Sequence, residues 1–137
     1  MSTVKPGTCL CKTIRYEVTG DPFHYVLCHC DNCKRAAGSA FMAHSYWKPE
    51  QLKITQGEPS IRHYSDNDTQ SGNTIIRSFC FICGSSLFVK AAKGDFMIAQ
   101  PGAIEGHQAW TPKKEVFAES RAAWLRDIAF ASNKAKL

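Results

Sequence analysis

The feature that most constrains this chain is the placing of its seven cysteines, all of which fall in three tight clusters. Cys9-Leu10-Cys11 comes first, Cys28-His29-Cys30-Asp31-Asn32-Cys33 second, and Cys80-Phe81-Ile82-Cys83 last. Thiolates are soft ligands suited to zinc, and a structural zinc takes four of them in a tetrahedron at about 2.3 Å. Seven sulfurs therefore make one closed site and leave three over. The expected division gives Cys9, Cys11, Cys80 and Cys83 to the closed site. Cys28, Cys30 and Cys33 then hold a second metal with an open position, which is where chemistry happens.

A disulfide scaffold is the competing use of so many cysteines. Such chains are shorter, exported and even in cysteine count, whereas this one has 137 residues and an odd number. No apolar run follows a basic start and no stretch approaches twenty apolar residues. A signal peptide or membrane span is not expected, and an intracellular, cytoplasmic and reducing location is. The formal charge of +5 assumes neutral thiols. Four thiolates on one zinc remove two charges and three on another remove one, so the loaded chain sits near +2. Lys34-Arg35, Lys113-Lys114 and the pair Lys134 and Lys136 are the basic clusters, with no long tract. That pattern favours small anionic ligands over nucleic acid.

In chain order, residues 1–8 read as a flexible start, residues 9–130 as one zinc domain and residues 131–137 as a loose polar tail. Cys9 and Cys11 share strand parity, as do Cys28 and Cys30, so each pair of thiols can face one metal. That alternation turns His29 away from the sulfurs, behind the ligands or into the core. Lys34 to Ala37 reads as one helical turn ended by Gly38. Further short strands are expected over 41–47, 52–54, 61–64, 74–79, 87–89 and 96–99, with the apolar-free run 65–73 as a hairpin connection. The stretch from Glu115 to Leu125 starts as a strand and finishes in a short helix. Many short strands with frequent turn signals predict an all-β domain of antiparallel sheets with little helix. One metal would tie Cys11 to Cys80 across 68 intervening residues, a closure whose entropic cost grows only slowly with length.

The order of motifs resembles a known family. Cys9-x-Cys11 is followed by Cys28-His29-Cys30-x-x-Cys33-Lys34-Arg35-x-x-Gly38-Ser39-Ala40-Phe41, then by Ser71-Gly72-Asn73. Arg77-x-Phe79-Cys80-x-x-Cys83-Gly84-Ser85 and Glu115-x-Phe117-x-x-x-Arg121-x-x-Trp124-Leu125 complete the set. Over about residues 5–126 the chain is similar to the glutathione-dependent formaldehyde-activating enzymes, a family with a centromere protein V branch. The resemblance implies a zinc-stabilised, β-tent-like fold and carbon-sulfur lyase activity on glutathione adducts. It also implies two zincs per chain: a structural one on Cys9, Cys11, Cys80 and Cys83, and a more labile one on Cys28, Cys30 and Cys33.

The expected substrate is glutathione or a related thiol adduct, its sulfur placed at the three-cysteine zinc. Lys34 and Arg35 are candidates for holding a substrate carboxylate, with Ser39, Tyr64 and Trp124 as candidate pocket residues. Surface solvation of the two basic residues, and core packing of the two aromatic ones, stand beside those roles. His29 is the imidazole nearest in sequence to the ligands and the candidate for proton transfer. His44 and His63 read as structural histidines on strands. The alternative function is a non-catalytic zinc-binding module for protein or nucleic-acid interaction.

Overall fold

Tyr16 and Val18 alternate with exposed neighbours along one short strand, and this period-two burial repeats through the chain. The computed structural model describes residues 2–125. Three strands, β1 (Val4–Thr8), β2 (Arg15–Thr19) and β5 (Leu52–Gln56), form one antiparallel sheet in the order β1-β2-β5. The second sheet has seven strands. They are β3 (His24–Cys28), β4 (Met42–Trp47), β6 (Ile61–Asp66), β7 (Ile75–Cys80), β8 (Ser86–Ala91), β9 (Met97–Ala99) and β10 (Lys114–Val116), in the order β10-β3-β4-β9-β8-β7-β6. One short helix, α1 (Asp31–Ala37), separates β3 from β4 and stops where Gly38 takes the left-handed conformation. The all-β expectation holds.

The sheets meet over a core in which Tyr16 and Val18 face Trp47, Phe88 and Ala99. The rings of Tyr16 and Phe88 pack edge to face with centroids 4.9 Å apart. Trp47 is fully buried and its indole N–H donates to Ser45 Oγ at 2.9 Å, which in turn donates to the Ala99 carbonyl at 2.8 Å. Truncating this tryptophan to alanine costs about 3–5 kcal/mol on the usual scale for large aromatic deletions. The alternate residues of the same strands point to the other face of the larger sheet. There Met42, Val89 and Ile98 pack with Cys28, Cys30 and Cys33.

Several local expectations need correction. Residues 4–8 are strand β1, paired with β2 at five positions, where a flexible start is expected from their polarity. Backbone pairing makes this segment part of the sheet, and Gly7 lies so close on the Tyr16 ring that no Cβ fits there. Cys9 and Cys11 are not on a strand. They occupy the turn between β1 and β2, in which Lys12 takes a φ of 66° and its N–H donates to the Cys9 carbonyl. Turn curvature brings these sulfurs together, in place of strand alternation. Similarly Cys28 ends β3, while Cys30 is the N-cap of α1. The sheets are antiparallel except at one place, where β10 runs parallel to β3. After β10 the chain makes a 3-10 turn over Ala118–Ser120, and the tail expected at 131–137 lies outside the described residues. No helix among the described residues is long and apolar enough to cross a membrane.

Candidate active site and metal centres

Two segments that are remote in sequence build the first cysteine cluster. The β1–β2 turn carries Cys9 and Cys11, while Cys80 ends β7 and Cys83 lies in the turn that follows it. The four sulfurs lie within 4.8 Å of one another. Cys11 Sγ is 3.6 Å from Cys9 Sγ and 3.9 Å from Cys80 Sγ. A tetrahedron with arms of about 2.3 Å has edges of about 3.8 Å, so these spacings suit a four-sulfur metal site. The neighbours of the sulfurs are neutral and local. Ile14 N–H donates to Cys9 Sγ at 3.3 Å, Thr13 Oγ1 is 3.2 Å from Cys11, and Ser85 Oγ is 3.2 Å from Cys83. The Ser85 contact draws the Cys83 thiol down to about 5.

The second cluster comes from one short segment. Cys28, Cys30 and Cys33 are all buried, and their sulfurs lie within 4.8 Å of one another. The local fold explains this. Cys30 caps α1 by accepting from the Cys33 N–H at 3.2 Å, which fixes the Cys-x-x-Cys turn, and β3 delivers Cys28 beside it. Hydrogen bonds from Cys28 and Cys33 drive the Cys30 sulfur toward the thiolate, while contacts with Cys30 push Cys28 up. None of the seven cysteines is in a disulfide. Free thiols converging in sets of four and three, the set of three wholly buried, are a donor chemistry that fits soft divalent metal ions such as zinc.

An ion pair stands beside the second cluster, whereas the neighbours of the first are neutral. Both terminal nitrogens of Arg77 approach Cys33 Sγ at 3.8 Å, while its Nε donates to Asp66 Oδ2 at 2.9 Å. Asn32 Nδ2, on α1, donates to both Asp66 oxygens at 3.1 Å, so helix and sheet hold one carboxylate that holds one guanidinium. Burial works to lower the Arg77 pKa, but its hydrogen bond to Asp66 and the nearby Cys33 sulfur raise it. His44 Nε2 is 3.8 Å from Cys33 Sγ. Burial, then the charge of Arg77, push that imidazole down to about 4.

The three thiols form part of the wall of a cavity of about 230 Å³. His44, Tyr46 and Arg77 contribute polar groups to it, Thr69 to Ser71 and Asn73 form a hydrophilic margin, and Val116 and Phe117 come from the β10 side. His29 does not line it. Its ring is fully buried, with Nε2 2.6 Å from Glu115 Oε1, and Glu115 Oε2 accepts from Arg121 Nη1 at 2.9 Å. The His29 N–H also donates to the Val116 carbonyl at 3.1 Å, so His29 fastens β10 to the end of β3.

The remaining candidates from sequence lie elsewhere. Lys34 Nζ donates to the Ser120 carbonyl at 2.8 Å and pairs with Asp31 at 3.3 Å. Arg35 and Tyr64 line a separate open cleft beyond Arg77. The Ser39 N–H closes the end of α1 on the Lys34 carbonyl. Tyr64 and Trp124 are exposed rather than packed in the core. Arg77, Asp66, Asn32 and His44 are the site residues that sequence reasoning missed. A lone Arg in the apolar run from Ile75 to Phe79 was the available signal for Arg77.

Comparison with known proteins agrees with this architecture. A curated protein of Schizosaccharomyces pombe named as an uncharacterized lyase is 27% identical over 88 residues, a stretch that covers 64% of this chain and 58% of that protein. The chain thus spans less than two thirds of that relative's length. A crystal structure of a Rhodobacter sphaeroides protein superposes with a TM-score of 0.62 at 16% identity, covering 81% of this chain and 99% of that one. That likeness concerns the fold. The family model for the glutathione-dependent formaldehyde-activating enzyme matches residues 4–120, which include all seven cysteines and the residues of the cavity wall, and the chain belongs to that family.

Proposed function

We propose that the protein is a carbon-sulfur lyase that breaks or forms the C–S bond of a thiol adduct, glutathione's first among them, at the site of Cys28, Cys30 and Cys33. The observation that carries this reading is the convergence of three buried free thiols, a guanidinium and an imidazole on one small cavity. In an S-(1-hydroxyalkyl) adduct, breaking the C–S bond leaves its electron pair on sulfur. The hydroxyl proton departs as the carbonyl forms, so the products are a thiol and an aldehyde. Cys28, Cys30 and Cys33 would hold the zinc, which when bound would supply a positive charge favouring the departing sulfur as thiolate. Arg77 adds a fixed cation beside the same point, already oriented by Asp66, which is how preorganised charge lowers a barrier. His44 is the imidazole on the cavity wall and takes the hydroxyl proton. His29 acts as a positioning residue through Glu115. Cys9, Cys11, Cys80 and Cys83 would hold a structural zinc.

The test uses the full chain with metal content measured. Exchange between glutathione, formaldehyde or a longer aldehyde, and their adduct is followed by NMR. Acceleration that disappears in Cys30→Ser, with far-UV circular dichroism unchanged, supports the reading. Equal acceleration by Cys30→Ser, or none by the native protein with any aldehyde, overturns it.

A further inference from the structure

The cavity beside the three thiols has a floor that a formaldehyde adduct does not use. Register across the larger sheet sets Arg77 opposite Val89, Val89 opposite Ile98 and Ile98 opposite Tyr46, so one cross-strand row has charged and phenolic ends and an aliphatic middle. The next row on β7 and β8 is Ile75 opposite Ala91. Phe96 closes that end, its ring 5.2 Å from that of Tyr46. The side facing this floor carries Phe117, which sits at a φ of 55°. A bulky non-glycine residue in the left-handed region is uncommon and is held only where surrounding structure over-determines it. Here the surroundings are the parallel pairing of β10 with β3 and the His29–Glu115–Arg121 chain.

We infer that the group carried on the substrate sulfur is apolar and several carbons long, so that the adduct is that of an aliphatic or aromatic aldehyde. This rests on the thiol-adduct reading above and names its substrate class. The cavity of about 230 Å³ is several times the share of about 30 Å³ that one water molecule has in the liquid. A hydroxymethyl group is one carbon and one oxygen, and leaves most of the apolar floor uncovered. The hydrophilic margin from Thr69 to Ser71, with Asn73, suits the polar body of the thiol, which places the substituent over Val89, Ile98 and Ala91. Burial of each further methylene there favours the longer adduct about fourfold.

Two measurements on the full, metal-loaded chain test this. S-methyl-, S-butyl- and S-hexylglutathione, which lack the hydroxyl needed for cleavage, are titrated by calorimetry. Exchange of the glutathione adducts of formaldehyde, propanal and pentanal is measured by NMR. The expected result is a Kd that falls by about fourfold for each methylene buried, up to about a thousandfold from S-methyl to S-hexyl, and a kcat/KM that rises along the aldehyde series. Ala91→Phe, which fills the floor, brings the S-hexyl to S-methyl ratio back toward unity. S-Methylglutathione binding as tightly as S-hexylglutathione overturns the inference, as does a kcat/KM greatest for formaldehyde. Graded affinity without turnover of any adduct sustains the inference about the substituent while overturning the lyase reaction itself.

Discussion

The two cysteine clusters use the same element for different ends. Cys9, Cys11, Cys80 and Cys83 come from two segments far apart in sequence and have neutral local neighbours, and all but the exposed Cys11 adjoin the core of Tyr16 and Trp47. Cys28, Cys30 and Cys33 come from six consecutive residues, face a cavity, and have a cation and an imidazole against Cys33. A link between distant segments restricts the unfolded chain strongly, whereas a link within one helical turn restricts it little. The difference supports the proposal that the outer cluster serves stability and the inner one chemistry.

Loss of an outer ligand is the largest effect expected. A structural zinc contributes on the order of 10 kcal/mol, comparable to the whole stability of a domain of this size. Cys80→Ser is therefore expected to abolish the cooperative thermal transition seen by circular dichroism; a sharp transition within a few degrees of the native one would make the two clusters equivalent. Cys30→Ser reverses the balance. It is expected to keep the fold and to lose only the metal proposed for the inner cluster, while adduct exchange falls on the order of a thousandfold, several kcal/mol of lost charge stabilisation. A competing chelator followed by circular dichroism sharpens the contrast, with the inner metal leaving first and the spectrum changing only when the outer one goes.

Arg77→Met comes next. Exchange is expected to fall about 100-fold, the scale of one preorganised charge at a reacting atom. The variant also leaves Asp66 buried without its cation, with only Asn32 to bond it, so its melting temperature drops. Arg77→Met with Asp66→Asn regains stability and not activity; recovery of both would reduce Arg77 to an ion-pair partner. Glu115→Gln has the smallest effect. It weakens hydrogen bonds to His29 and Arg121, lowers stability by about 1–2 kcal/mol, and speeds amide exchange at His29, whose N–H is bonded to Val116. Exchange at His29 that matches the native rate would detach β10 from the inner cluster.

Legibility differed between elements for physical reasons. Most of the strands could be read because burial alternates along them, as in Tyr16 and Val18. The end of α1 could be read because Gly38 adopts the left-handed cap its sequence suggests. Strand β1 escaped notice because its pairing is a backbone property, and Val4 to Thr8 has little apolar pattern to announce it. Pairing of β10 with β3 joins segments separated by the whole of the sheet's middle, and no local period reports that. Candidates near the cysteines in sequence, such as Lys34 and Arg35, turned out to face away from the cavity, because a helix sends successive side chains around its axis.

Sequence alone determined the local sets of sulfur, because the short spacings Cys-x-Cys and Cys-x-x-Cys bring neighbouring ligands together through local geometry; joining Cys9 and Cys11 to Cys80 and Cys83 took the tertiary fold. Tertiary structure alone decided what faces those sulfurs. Arg77 and His44 reach Cys33 from β7 and β4, and the apolar floor is assembled from β7, β8 and β9. Such neighbours are set by sheet order and register, which arise from long-range pairing and burial that no stretch of a few residues encodes.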